Sequence, residues 1–173
     1  MKHLRLLVAT LATAGVATAT LAQEEPTQTL FTNVNIFDGT SETLMENASV
    51  LVEGNLIKTI STDEISAADA TVIDGAGRTL MPGLVEAHAH LMLMGPSLPV
   101  MEANTTWEDF AIHGVKMSEM YLMQGFTTVR DAGGANAGLQ RAVNAGTIVG
   151  PRIYPSGAFI GSRGGHADFA NYT

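Results

Sequence analysis

The alternation of strand-like and helix-like segments after Pro82 constrains the fold more than any other feature of this sequence. In chain order these are a strand at 84–91, a helix at 107–124, a strand at 126–130, a helix from Asn136 to about Gly146 and a strand at 151–155. This order is typical of parallel βαβ units, so we expect an α/β fold with a parallel sheet. Thr105 and Glu108 have capping-box spacing, which predicts Thr105 as the N-cap of the first helix.

The residues before Pro82 predict a different kind of structure. Short segments rich in β-forming residues follow one another there, at 29–37, 48–53, 56–60, 71–74 and 78–80. Gly54-Asn55 stands directly between two of them and is a hairpin signal. We therefore expect a small all-β unit over residues 29–80.

The first 22 residues have the three parts of an export signal. Lys2 and Arg5 are basic, residues 6–21 are apolar or small, and Ala22 precedes a polar segment. The apolar part is short and weakly hydrophobic for a membrane span, which needs about 20 strongly apolar residues. We predict a signal peptide over 1–22, a periplasmic or secreted protein, and no membrane association after cleavage; an uncleaved anchor is the alternative.

Composition excludes several kinds of protein. Hydrophobic residues make up 46% of the chain, which is too many for a disordered tail, and the lack of cysteine excludes a disulfide-stapled miniprotein. Nine basic against 17 acidic residues give a formal net charge of -8, which opposes binding to phosphate groups. We therefore expect no nucleic-acid partner.

A polar pattern in the strand at 84–91 marks the candidate site. Because side chains alternate across a strand, Glu86, His88 and His90 are expected to share one face. The apolar residues between them are expected to pack under helices on the other face. Two neutral imidazoles one residue apart can both reach a divalent ion at roughly 2.0–2.1 Å, and such a partner offsets the cost of burying them. The alternative is a pair of structural histidines bonded to backbone or water.

Residues 80–91, followed by residues 125–131, resemble the metal-dependent amidohydrolase superfamily. The similarity is greatest to its branch of imidazolonepropionase-like enzymes and Xaa-Pro dipeptidases (prolidases). It implies a (β/α)8 TIM-type barrel preceded by a small β-sandwich part, with the β-sandwich part at 23–81 and the first three or so barrel strands at 82–173. In that family the His-x-His at the end of the first barrel strand binds metal.

The resemblance therefore implies His88 and His90 as metal ligands, with one or two divalent ions, zinc being the expected metal. It also implies hydrolysis of an amide-type C–N bond in dipeptides, acylated amino acids or cyclic amides, by water that the metal activates. In the family the remaining parts come from later strands: a carboxylated lysine, two further histidines and an aspartate. The catalytic acid or base of this chain is accordingly unknown.

Two more residues are candidates for supporting roles. The family commonly has Asp two residues before the first ligand, where this chain has Glu86; we expect Glu86 to orient a ligand, with a salt bridge inside the barrel as the alternative. His166 follows Gly164-Gly165 at the C-terminal end of the third strand, where barrel enzymes keep their active sites. We expect His166 to contact substrate, with a solvent-exposed loop histidine as the alternative.

Arg130 and Asp131 end the second strand of the α/β part, before Gly133-Gly134. An Arg-Asp pair at such a place is typical of a structural ion pair or a helix-capping element. A role in framing the pocket is the less favoured interpretation.

Length bounds what this chain can do alone. After Pro82 there are 173 minus 82, or 91, residues, about a third of a barrel of roughly 250 residues. We therefore expect the N-terminal portion of a longer enzyme, or an interrupted gene, and expect the 173 residues alone to be inactive and prone to aggregation. The alternatives are a lactonase-like or phosphotriesterase-like hydrolase on the same scaffold, and a non-catalytic β-rich binding module.

Overall fold

A computed structural model describes residues 26–93, 105–158 and 160–162. Within these ranges the chain divides into two compact units, each described by itself below. The first unit comprises residues 26–35 and 45–78, and the second comprises residues 36–44 and those from 79 onward. The domain boundary predicted at Pro82 stays a prediction.

The N-terminal strands form a mixed five-stranded sheet. They are β1 (Gln28–Ile36), β2 (Met45–Glu53), β3 (Leu56–Ser61), β4 (Thr71–Asp74) and β5 (Thr79–Leu80). Their order is β3-β2-β1-β4, and β5 also pairs with β1. β2 and β3 form the expected antiparallel hairpin, and Gly54 between them has a φ of 60°, which glycine adopts without strain. The described residues of this part form one sheet, so the predicted β-sandwich part stays a prediction.

The turn after β4 is held by a carboxylate. Asp74 accepts hydrogen bonds from the backbone N–H of Ala76 at 2.8 Å and from the side-chain amide of Asn33 at 3.1 Å. These bonds favour the charged form and lower the pKa of Asp74 below its usual value, the Ala76 bond having the larger effect. The bond to Asn33 also joins the end of β4 to β1, its parallel neighbour in the sheet.

The C-terminal part has the predicted βαβ order. Its elements are β6 (Leu84–Ala89), α1 (Trp107–Met123), β7 (Phe126–Asp131), α2 (Ala137–Asn144) and β8 (Arg152–Tyr154). The three strands are parallel in the order β6-β7-β8. The prediction of an α/β fold with a parallel sheet is confirmed in these residues.

One apolar core lies between this sheet and its helices. Its buried members come from both helices, from the three strands and from the segments that follow β6 and β7, and they are Ala89, Leu91, Met92, Phe110, Val129, Ala135, Leu139 and Ile153. The core defines the two faces of the sheet, since Val129 of β7 and Ile153 of β8 both point into it and are fully buried. The polar side chains described below are assigned to a face by reference to these two residues.

The helix caps agree with the sequence except at one residue. Asn136 caps α2 as expected, and Gly125 follows α1 with a φ of 93°. The predicted N-cap Thr105 is wrong, because Thr106 caps α1 and forms a capping box with Asp109. Both residue pairs have the same spacing, so the spacing alone could not choose between them.

No helix among the described residues is long and apolar enough to cross a membrane.

The cap of α1 gives the first testable prediction. Thr106→Ala removes the hydroxyl that accepts the Asp109 N–H, and we expect the free energy of unfolding to fall by about 1 kcal/mol. Thr106→Ser retains the hydroxyl and should retain most of the stability. Denaturant titration of the two variants followed by circular dichroism measures the difference; equal midpoints for both would contradict the assignment.

Candidate metal centre

Two imidazoles lie side by side at the end of β6. His88 is within the strand and His90 lies just beyond its last residue, Ala89. Their ring centroids are 5.2 Å apart and the rings are nearly perpendicular, at 83°. His88 is exposed and His90 is partly buried. The structure thus brings together the two histidines that the sequence predicts as ligands.

The carbonyl of Gly133 fixes the chemical state of His90. The Nδ1 atom of His90 lies 3.0 Å from this oxygen, in the loop that follows β7. A carbonyl oxygen can only accept, so Nδ1 must carry the proton in this contact. In the neutral ring the Nε2 atom then keeps its lone pair, which is the form in which a metal-binding histidine is commonly held.

A bulge in β6 changes which residues share a face. Glu86 is aligned with Val129 and Ala89 with Asp131, so the register shifts between Glu86 and Ala89. Two residues of β6 therefore stand opposite one residue of β7, as in a β-bulge. Aligned residues of neighbouring strands share a face, and Val129 points into the core.

Glu86 consequently lies on the face that packs against the helices, away from the two imidazoles. The prediction that Glu86, His88 and His90 share one face is wrong for Glu86, because uniform alternation does not survive the bulge. The same shift leaves Val85 65% exposed, and Ala87 is also exposed, although Ala89 and Leu91 are buried as expected.

The carboxylate of Glu86 nevertheless contacts a candidate ligand residue. Its Oε1 atom accepts a hydrogen bond of 2.9 Å from the backbone N–H of His88. The predicted role of Glu86 in orienting a ligand stays a prediction, and this bond shows the route it would take, through the backbone of His88.

Tyr121 of α1 lies near the same carboxylate. Burial raises the pKa of the Tyr121 phenol, and the negative charges of Glu86 and Asp131 raise it further. The ring packs edge-on against Phe126, with centroids 5.7 Å apart. An electrostatic effect of Glu86 on a helix residue agrees with its place on the helix-facing side of the sheet.

Three consecutive residues at and just after the end of β7 hold alternate residues at and just after the end of β6. The Nε atom of Arg130 donates to the carbonyl of Ala87 at 2.7 Å. The backbone N–H of Ala132 donates to the carbonyl of Ala89, also at 2.7 Å. The N–H of Leu91 donates to the Oδ2 atom of Asp131 at the same distance, 2.7 Å. These contacts, the β7 clamp, alternate with the two histidines.

Asp131 is the buried member of the β7 clamp, with 1% of its surface exposed. Besides Leu91 it accepts hydrogen bonds from the N–H groups of Gly133 at 2.9 Å and Ala135 at 3.1 Å. The structure shows no ion pair between Arg130 and Asp131, both of which it describes. Of the two structural roles predicted for this pair, an ion pair or a helix cap, the ion pair is therefore wrong, since each side chain binds backbone instead.

The remaining predicted site residue, His166, lies outside the described residues. Within the described ranges no group of three or more His, Cys, Asp or Glu side chains is placed to hold a metal ion. The described part of the chain thus offers two candidate ligands.

Gly133 is the site residue that sequence reasoning missed. Gly133 and Gly134 have φ values of 157° and 102°, and a Cβ at Gly134 would lie 3.3 Å from the Leu93 side chain. Two glycines directly after a strand end were a signal for a backbone conformation of this kind. The contact between the Gly133 carbonyl and His90 cannot be predicted from the sequence, because the two residues are 43 positions apart.

Residues 79–170, more than half of the chain, match the amidohydrolase family. The chain belongs to this family. An imidazolonepropionase from Streptomyces griseus subsp. griseus is 33% identical over 81 residues, which are 46% of this chain and 20% of the relative. The predicted resemblance to amidohydrolases, with imidazolonepropionase and prolidase among the relatives, is confirmed.

Solved structures with similar folds include two dipeptidases. A prolidase complexed with N-methylphosphonate-L-proline gives a TM-score of 0.76 at 36% identity, over 83% of this chain and 35% of that one. A Xaa-Pro dipeptidase with bound methionine gives a TM-score of 0.74 at 32% identity, over 85% of this chain and 37% of that one. The chain thus spans about a third of each solved amidohydrolase and a fifth of the imidazolonepropionase.

The placement of Glu86 gives a pH prediction. Glu86→Gln removes a negative charge near the Tyr121 phenol. Because this removal favours the phenolate, the pKa of Tyr121 should fall toward its usual value of 10.0. Ultraviolet absorbance of the tyrosinate during titration measures the change. Glu119→Gln, an exposed carboxylate on the same helix, is the control and should leave the pKa of Tyr121 unchanged. No difference between the variants would place Glu86 on the other face.

Proposed function

We propose that this chain is the N-terminal part of an exported, metal-dependent amidohydrolase that hydrolyses C–N bonds. His88 and His90 would hold a divalent ion, for which zinc is the expected metal. The hydrogen bond from Nδ1 of His90 to the Gly133 carbonyl carries the proposal, because it leaves Nε2 as the ligand atom.

The two imidazoles suit a divalent ion. Neutral imidazole is a common ligand of zinc, copper, iron and nickel, and the two rings lie close enough together to share one ion. Amidohydrolases generally use divalent metals. A catalytic zinc site has three protein ligands, so we propose that the other ligands and the acid or base come from residues outside the described ranges.

The chain's own residues would fix the proton position of His90 and hold the backbone of His88. The Gly133 carbonyl keeps the His90 proton on Nδ1, and Glu86 holds the backbone N–H of His88. When bound, the ion would supply the Lewis acid that makes water nucleophilic near neutral pH and polarises the scissile carbonyl. His166 remains the proposed substrate contact.

The comparisons favour a small substrate whose amide-type C–N bond is hydrolysed. Two solved relatives are a prolidase and a Xaa-Pro dipeptidase, which favours dipeptides over the lactone and phosphotriester alternatives. Family membership also favours an enzyme over a binding module. Acylated amino acids and cyclic amides stay within the proposed substrate class.

The proposal extends to the architecture and the location of the protein. Three parallel strands with intervening helices agree with the start of a (β/α)8 barrel, and the matched relatives are amidohydrolases of that fold. Export to the periplasm or medium rests on the sequence of residues 1–22.

Replacement of both histidines tests the metal proposal. We expect the full-length protein with His88→Ala and His90→Ala to lose bound metal and to lose dipeptide hydrolysis by at least about a hundredfold, because two ligands are removed at once. Elemental analysis measures metal content, and Xaa-Pro dipeptides with acylated amino acids form the substrate panel.

A third histidine supplies the matched control. His113 lies in α1 and is partly buried, and His113→Ala should keep normal metal content and turnover. Normal metal content in the double variant would refute the proposal.

A further inference from the structure

We infer that Arg130 and Asp131 are positioning residues for His88 and His90, an inference that rests on the proposed metal site. The hydrogen bonds described for both side chains are to backbone groups. Each holds a backbone group next to one of the histidines, and the two act on different ligands.

Asp131 acts on His90 from two directions. Its Oδ2 atom holds the N–H of Leu91, the residue after His90, at 2.7 Å. Its Oδ1 atom holds the N–H of Gly133 at 2.9 Å, and the carbonyl of Gly133 holds Nδ1 of His90 at 3.0 Å. One carboxylate therefore fixes both the backbone of His90 and the partner that sets its tautomer.

Arg130 acts on His88 through a single peptide group. Because of the bulge, the peptide between Ala87 and His88 leaves the regular strand ladder, and its polar groups need other partners. Its carbonyl accepts from Nε of Arg130 at 2.7 Å, and its N–H donates to Glu86 at 2.9 Å. The plane of this peptide sets the direction in which the His88 side chain leaves the backbone.

The charges of the two residues suit these tasks. A carboxylate has acceptors for several N–H groups and no donor, as the three bonds to Asp131 require. A guanidinium donates at Nε part-way along its side chain, which lets Arg130 reach a backbone carbonyl on the neighbouring strand. Bulges commonly re-aim side chains next to active sites, and here the bulge carries a candidate ligand.

Two variants of the full-length protein test the inference. In Asp131→Asn the amide nitrogen cannot accept, so at least one N–H group loses its partner. We expect zinc affinity, measured by competition with a chelator, to fall about 10- to 100-fold, as is typical when a partner of a metal ligand is lost. In Arg130→Met the donor is removed while an apolar stem is kept, and we expect a loss on the order of tenfold.

The tautomer of His90 gives a readout that a general loss of stability does not move. Nitrogen-15 spectra of the metal-free protein, with the His90 signals identified from His90→Gln, should show the Nδ1–H form. Asp131→Asn should shift His90 toward a mixture of tautomers, whereas Arg130→Met should leave His90 unchanged because it acts on His88.

Two control variants match these changes. Asp74→Asn alters another carboxylate that accepts a backbone N–H, but in the N-terminal sheet, and Arg152→Met alters an exposed arginine on β8. Both should keep wild-type zinc affinity and the wild-type His90 tautomer.

The outcomes separate the inference from the proposed function. If the double histidine variant binds zinc normally, the metal proposal itself fails. If that variant loses zinc but Asp131→Asn keeps both affinity and tautomer, the role of Asp131 is overturned. Should Asp131→Asn not fold, Arg130→Met decides, because its side chain is exposed and unchanged zinc affinity there would overturn the positioning inference.

Discussion

The buried carboxylate of Asp131 is the interaction on which the described site depends. A charge taken out of water costs several kcal/mol unless it is paired or hydrogen-bonded, and Asp131 offsets that cost with three backbone N–H groups. Bonds to a charged acceptor contribute about 1.5–3 kcal/mol each, more than neutral ones. Because its donors lie both after β6 and after β7, the carboxylate links two strand ends separated by 40 residues.

The bulge in β6 determines which side chains lie on which face of the sheet at this strand end. Without it, Glu86 would face the same side as the histidines and bring a negative charge beside them. With it, Glu86 faces the helices, where it affects Tyr121, and the two imidazoles lie on the opposite face. The cost of a bulge is the loss of ladder hydrogen bonds, and Glu86 and Arg130 supply replacements for both polar groups of the displaced peptide.

The features that local chemistry determines are predictable from the sequence. The strands, the helices, the hairpin at Gly54 and the cap at Asn136 follow from periodicity and turn residues within a few positions. The bulge does not, because it depends on how β6 aligns with β7, more than 40 residues later. The same distance hid the Gly133 carbonyl from His90, so the ligands were predictable while the contacts that orient them were not.

The family match covers the whole of this arrangement. Residues 79–170, which match the amidohydrolase family, contain both histidines, the bulge and all of the β7 clamp. One fold can host enzymes with different substrates, because the residues that select the substrate differ among them. The hydrogen bonds described around His88 and His90 either hold a backbone group beside one of the histidines or come from the backbone, as the Gly133 carbonyl does. Under the proposed function such an arrangement would serve any of the proposed C–N substrates, because these hydrogen bonds involve no substrate atom.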